Sequence, residues 1–126
     1  MKIFIASSRK FFSKLTTIKF NLDKAGHETI LPSFELGKVS AYANRKQLFL
    51  KKDLLLLEKA DAILVCNFKN GKLESYIGET CLIYLAIAFY LQKKVYLLYN
   101  LPESKNKEEL IGINPICLNG DLKKLK

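Results

Sequence analysis

Two short clusters of polar side chains stand where this chain could do chemistry. Ser7, Ser8 and Arg9 end a β-branched and aromatic run, Lys2-Ile-Phe-Ile-Ala6, just ahead of a helical pattern. Two hydroxyls, a guanidinium and the backbone N–H groups of a helix start can converge there on an anion. A serine N-cap beside an exposed arginine accounts for the same residues without a ligand. The second cluster follows the apolar run Asp61-Ala-Ile-Leu-Val-Cys66 and comprises Asn67, Lys69, Asn70 and Lys72, then Tyr76, Gly78, Glu79 and Thr80. Gly78 permits a close backbone approach, and Glu79 or Thr80 complements the N–H groups and positive dipole end of the helix that begins there. Capping alone also explains Thr80. His27, the single histidine, falls in the Gly26 turn at the amino end of a strand, so no Ser/His/Asp or Cys/His relay can be assembled.

The elements that must position these clusters alternate between strand and helix. After the first strand, Phe11, Phe12, Leu15, Ile18 and Leu22 recur at three- and four-residue steps and form one helix face, closed by a glycine C-cap at Gly26. Glu28-Thr-Ile-Leu-Pro32 reads as a second strand, stopped at Pro32. A loop is expected over 34–40 and a helix over 41–59, broken near Lys51. The third strand, 62–66, is apolar throughout and belongs in the sheet centre. Asn70-Gly71 marks a turn, 79–91 a helix and 95–98 a fourth strand. Leu101-Pro102-Glu103 breaks the chain, 105–110 is a short charged helix, Pro115-Ile-Cys-Leu118 a fifth strand, and Gly120-Asp121 opens a lysine-rich last turn. This alternation predicts right-handed parallel crossovers with helices on both faces. The expected fold is α/β, a flavodoxin-like or Rossmann-like three-layer sandwich with a five-stranded parallel sheet in the order 2-1-3-4-5. Both polar clusters then lie at the carboxyl ends of strands, where ligands sit in such sheets.

With 126 residues, the chain is expected to form one domain, residues 1–126. Its longest apolar run is too short to span a bilayer, and its amino terminus lacks the pattern of a secretory leader. Cys66, Cys81 and Cys117 have no paired spacing and sit in apolar contexts, as reduced thiols of an intracellular protein would, so a cytoplasmic location is expected and no metal site. The absence of a dinucleotide fingerprint and of a P-loop leaves no cofactor expected. The net charge of +9, with 21 Lys and Arg against 12 Asp and Glu, favours anionic partners. The lysines are scattered and Arg9 and Arg45 are the only arginines, which argues against a nucleic-acid partner.

Several segments together resemble the nucleoside 2-deoxyribosyltransferase family and the related deoxynucleoside monophosphate N-glycosidases. They are Lys2-Ile-Phe-Ile-Ala-Ser-Ser8, Leu22-Asp-Lys-Ala-Gly-His-Glu28 with Leu31-Pro32, Ala60-Asp-Ala-Ile-Leu-Val65, Tyr76-Ile-Gly78, the stretch from Ala88 through Leu98 into Pro102, and Pro115-Ile-Cys-Leu-Asn-Gly-Asp-Leu122. The resemblance implies the same flavodoxin-like sheet, and assembly as homodimers or larger homo-oligomers with sites completed across the interface. It also implies a glutamate nucleophile in the helix after the third strand, six positions after the glycine and nine before a lysine. Counting from Gly78 and from Lys93 both reach Tyr84, so a phenol occupies that position. Ser7 also stands where the family commonly has glycine.

Three functions follow. The first is a nucleoside- or nucleotide-binding protein of this fold with glycosyl transfer lost or altered. In it Ser7, Ser8 and Arg9 face phosphate or sugar, Tyr76 and Tyr84 stack on or hydrogen-bond the ligand, and Asn67, Gly78 and Thr80 complete the site. The second is an active N-glycosidase or deoxyribosyltransferase using Glu79 or an activated Tyr84. The third is a basic flavodoxin-like interaction module without a small-molecule site.

Overall fold

The computed structural model describes residues 1–33 and 39–125. Five strands, β1 (Lys2–Ala6), β2 (Glu28–Ile30), β3 (Ala62–Val65), β4 (Lys94–Leu97) and β5 (Ile116–Cys117), form one sheet in the order β2-β1-β3-β4-β5. Every neighbouring pair is parallel, with Phe4 opposite Ile63 and Ile63 opposite Val95 at the centre. The connections are α1 (Phe12–Lys24), α2 (Val39–Lys59), α3 (Glu79–Tyr90) and α4 (Lys107–Ile113).

Strand side chains alternate between the two faces, and both faces are covered. Phe4, Ile63, Val65 and Leu97 pack with Leu57 of α2, Tyr84 and Leu85 of α3 and Leu110 of α4. Ile3, Ile5, Leu64 and Tyr96 pack on the other side with Leu15 and Leu22 of α1 and with Leu118 and Leu125 near the carboxyl end. Each fully buried Leu, Ile or Phe contributes about 1.5–3 kcal/mol.

Local chemistry fixes the ends of the elements. A single 3-10 turn, Arg9–Phe11, precedes α1, with the Phe11 N–H donating to the Ser8 carbonyl at 2.9 Å. α1 ends in a Schellman motif: the Gly26 N–H reaches the Asp23 carbonyl, the His27 N–H reaches the Leu22 carbonyl, and Gly26 takes φ +96°. The Asn70-Gly71 turn closes through reciprocal backbone hydrogen bonds between Asn70 and Leu73.

Some boundaries differ from expectation. α2 runs unbroken through Lys51, because Leu50, Leu54 and Leu57 continue its packing on the sheet side. It already includes residues 39–40 of the expected loop, whose residues 34–38 lie outside the described residues. β2 ends at Ile30, two residues before Pro32, and the charged helix is displaced to Lys107–Ile113. Among the described residues no helix is long and apolar enough to cross a membrane. The three cysteines are free thiols.

The direction of chain connection reverses between β1 and β3. The chain leaves β1 toward β2 on one side and leaves β3 toward β4 on the other, so the loops after these two strands diverge and open a crevice.

Candidate functional site

A cleft of about 460 Å³ occupies that crevice. The loop after β1 supplies Ser7, Ser8 and Arg9, and the approach to α3 supplies Tyr76, Gly78, Glu79 and Thr80. Pro32 and Ser33 close one side, Lys46 and Phe49 reach in from α2, Phe12 from α1, and Cys81 and Tyr84 from α3. Of the residues expected from sequence, Ser7, Ser8, Arg9, Tyr76, Gly78, Glu79, Thr80 and Tyr84 therefore meet here, and Asn67, Lys69, Asn70 and Lys72 do not.

Asn67 lies apart from the cleft lining. Its side chain is wholly buried and bonded to the backbone of the next loop: Nδ2 donates to the Asn100 carbonyl at 2.8 Å, and Oδ1 accepts the Tyr99 N–H at 2.8 Å. It ties the ends of β3 and β4 together. Lys69, Asn70 and Lys72 also lie outside the cleft lining, with Asn70 accepting from Lys10 and Lys69 lying 3.9 Å from Glu74.

Gly78 is the residue before α3, in an extended conformation with φ −73° and ψ 165° that any residue adopts. A Cβ there would lie 3.7 Å from the Ser8 Cβ, an ordinary contact. The expected close approach is thus not a tight one. Gly78 lies against Ser8 and narrows the space between the two loops. α3 carries no side-chain N-cap bond, and Thr80 bonds elsewhere: its Oγ1 accepts from Lys46 Nζ at 2.9 Å, linking α2 to the start of α3. Glu79, in the first turn, stays exposed.

At the cleft floor the Tyr84 hydroxyl donates to Asp53 Oδ2 at 2.7 Å. The other oxygen, Oδ1, accepts the Ser33 N–H at 2.8 Å. The Tyr84 ring meets Phe4 edge-on, with centroids 5.3 Å apart. Burial first, and then the hydrogen bond and charge of Asp53, push the Tyr84 phenol above its ordinary pKa. Burial likewise pushes the Cys81 thiol up to about 12, against the opposing pull of Lys46. Neither group is an activated nucleophile.

Asp53, Lys46 and Ser33 are absent from the residues expected from sequence. Asp53 had a signal: an acid three residues after Leu50 and four before Leu57 stands on the apolar face of its helix, where an acid needs a partner. The Ser33 hydroxyl is buried without a hydrogen-bond partner among the described residues.

Chemically, the cleft has a positive side made by Arg9, Lys46 and the amino end of α3, hydroxyls from Ser7 and Ser8, aromatic walls, and an exposed carboxylate in Glu79. That combination suits an anionic ligand with a planar part. Among the described residues no three metal-ligating side chains cluster.

Two solved structures share the architecture. A 2-deoxyribosyltransferase from Bacillus psychrosaccharolyticus is 23% identical, over 77% of this chain and 71% of its own, with a TM-score of 0.52. The CMP N-glycosidase of Clostridium botulinum is 14% identical, over 93% of this chain and 85% of its own, with a TM-score of 0.55. No protein-family model and no curated protein matches the sequence. In its sheet order and backbone course, the chain has the fold of the 2-deoxyribosyltransferase-like structures.

Proposed function

We propose that the cleft binds a nucleoside or nucleotide, its phosphate or sugar toward Ser8, Arg9 and Lys46, and that glycosyl transfer by a carboxylate at position 84 has been lost. The observation that carries this reading is the Tyr84–Asp53 hydrogen bond. Attack on an anomeric carbon needs an electron pair freed from its proton, and burial beside a carboxylate opposes formation of the phenolate. Asp53 does not replace the missing acid, since it is 1% exposed and both its oxygens already accept hydrogen bonds. The pair makes a rigid floor.

The ligand class is supported by the neighbours, one a 2-deoxyribosyltransferase and the other a CMP N-glycosidase. It is supported too by a volume in the range of small-molecule sites and by the basic side of the cleft. The test is thermal shift against deoxynucleosides, their monophosphates and inorganic phosphate. A binder at about 100 times its Kd stabilises the fold by about 2.7 kcal/mol. A flat response across the panel overturns the reading in favour of an interaction module.

A second reading rests on Glu79, the exposed carboxylate in the cleft. It makes the chain an N-glycosidase or transferase with a displaced acid. Release or exchange of base from a deoxynucleotide, abolished in Glu79→Gln and retained in Tyr84→Phe, would establish it.

A further inference from the structure

Lys10, in the 3-10 turn, and Lys14, in the first turn of α1, are gathered over one pair of aromatic rings. Lys10 Nζ lies 5.4 Å from the centroid of the Phe11 ring, and Lys14 Nζ lies 5.3 Å from that centroid and 5.1 Å from that of Phe68. The two rings meet edge-on with centroids 5.7 Å apart and are buried, while both lysines are exposed. Aromatic faces attract ammonium groups, and the side-chain oxygen of Asn70 holds Lys10 a second time. Two like charges over one ring repel, yet neither lysine is ion-paired among the described residues. Lys69 and Lys72, exposed on the loop that carries Phe68, add charge of the same sign, and Glu74, 3.9 Å from Lys69, is that loop's one acid. These lysines are scattered in sequence, and folding brings their two segments together. Both segments adjoin the cleft. Arg9 and Phe12, which flank Lys10 and Phe11 in the chain, line it, and the N–H of Tyr76, another lining residue, donates to the Phe68 carbonyl at 3.0 Å.

We propose that Lys10 and Lys14 hold a second phosphate of the ligand in the cleft, which is therefore a nucleotide carrying at least two. This rests on the nucleotide reading of the cleft, with the first phosphate toward Ser8, Arg9 and Lys46. An ammonium group has three N–H donors; Lys10 gives one to Asn70, and both lysines keep donors for phosphate oxygens. An anion between the two ammonium groups replaces their repulsion with attraction, and the aromatic pair beneath fixes where it sits. Free monophosphates have nothing to place there. The second phosphate has two possible sources with the same chemistry: the anhydride of a nucleoside diphosphate, or the phosphodiester that leads to the next nucleotide of a strand.

Isothermal titration of the full chain at fixed ionic strength tests it, with a deoxynucleoside monophosphate, the diphosphate and a 5′-phosphorylated dinucleotide of the same base. At least one of the two-phosphate ligands is expected to bind about 10-fold or more tighter than the monophosphate, and which one does so identifies the source. The double variant Lys10→Met, Lys14→Met keeps the apolar stems on the rings and is checked for an unchanged far-UV circular dichroism spectrum. It is expected to abolish the gain while shifting monophosphate affinity by less than about 3-fold. Lys24→Met removes a charge from the far end of α1 and is expected to leave the gain intact. Two-phosphate ligands no tighter than the monophosphate, a gain that survives loss of both lysines, or a gain lost equally in Lys24→Met overturns the proposal and leaves the nucleotide reading standing. No binding by any of the three ligands, the monophosphate included, overturns that reading and the proposal with it.

Discussion

The Tyr84 hydroxyl and the Asp53 carboxylate lie 2.7 Å apart with 4% and 1% of their residues exposed, so α3 and α2 are joined by a hydrogen bond that water barely reaches. Removing the hydroxyl leaves one carboxylate oxygen buried without its donor. Hydrogen bonds to charged groups contribute about 1.5–3 kcal/mol, and Tyr84→Phe is expected to destabilise the fold by that amount at neutral pH. Urea denaturation measures it, and a variant as stable as wild type would remove the bond from the account. The pH dependence has a definite sign. The folded-state pKa of Tyr84 is raised, so its contribution is fully present below the unfolded tyrosine value of about 10 and declines above it, as the unfolded chain alone loses the proton. The stability difference between wild type and Tyr84→Phe is therefore expected to be flat up to about pH 10. Above that it should shrink by about 1.4 kcal/mol per pH unit.

The thiols offer a test of burial. Cys66 and Cys81 are sealed, Cys81 despite its place beside the cleft, and burial raises both thiols well above the ordinary range. A disulfide reagent at mildly alkaline pH is expected to leave both untouched in the folded protein and to react with all three cysteines once the chain is unfolded. The half-buried Cys117 reacts first. Rapid labelling of Cys81 in the native state would mean that the cleft floor opens.

If the cleft binds a nucleotide as proposed, Lys46 is the cation expected to discriminate between ligands with and without a phosphate. Its ammonium group bridges to Thr80 at the amino end of α3, where an anion gains from both the charge and the exposed N–H groups. Lys46→Met is expected to weaken binding of a deoxynucleoside monophosphate by roughly 10-fold or more while changing that of the nucleoside less than about 3-fold. Isothermal titration against both ligands checks this. Equal losses for the two would place the phosphate elsewhere.

Sheet order was legible because short strand-like runs closed by polar residues, Gly, Pro or Asn alternate with helical patterns, in which Leu15 and Leu22 repeat on a single face. The loop residues divide differently. Ser8, Glu79 and Tyr84 meet because the switch in strand order forces their loops apart, a consequence of topology that the alternation of elements already contains. Asn67 has the same sequence credentials as Ser8, a polar residue just past a strand. Its environment is set by a distant segment, since the chain at Tyr99 and Asn100 folds over it and consumes its amide. The role of Asp53 is hidden in the sequence for a related reason. Its neighbours Lys51 and Lys52 suggest a solvated helix face, whereas a shift of one or two residues along a helix turns a side chain through about 100–200° and into the core.

Restoring an acid at position 84 brings two carboxylates together. In Tyr84→Glu the new side chain lies beside Asp53 at a buried site, where two like charges cannot both form and one proton is shared. The shared proton gives the pair a pKa above glutamate's usual value of about 4.3. With that folded-state value raised, the associated stability is present at low pH and lost as pH rises. Tyr84→Glu is expected to be appreciably less stable at about pH 7.5 than at about pH 5, by an amount approaching 1.4 kcal/mol for each unit by which the pair is raised. Adding Asp53→Asn removes the repulsion and should flatten the dependence. Urea titrations of the single and double variants at the two pH values decide the matter, and identical pH profiles would show that the two positions do not share one buried site.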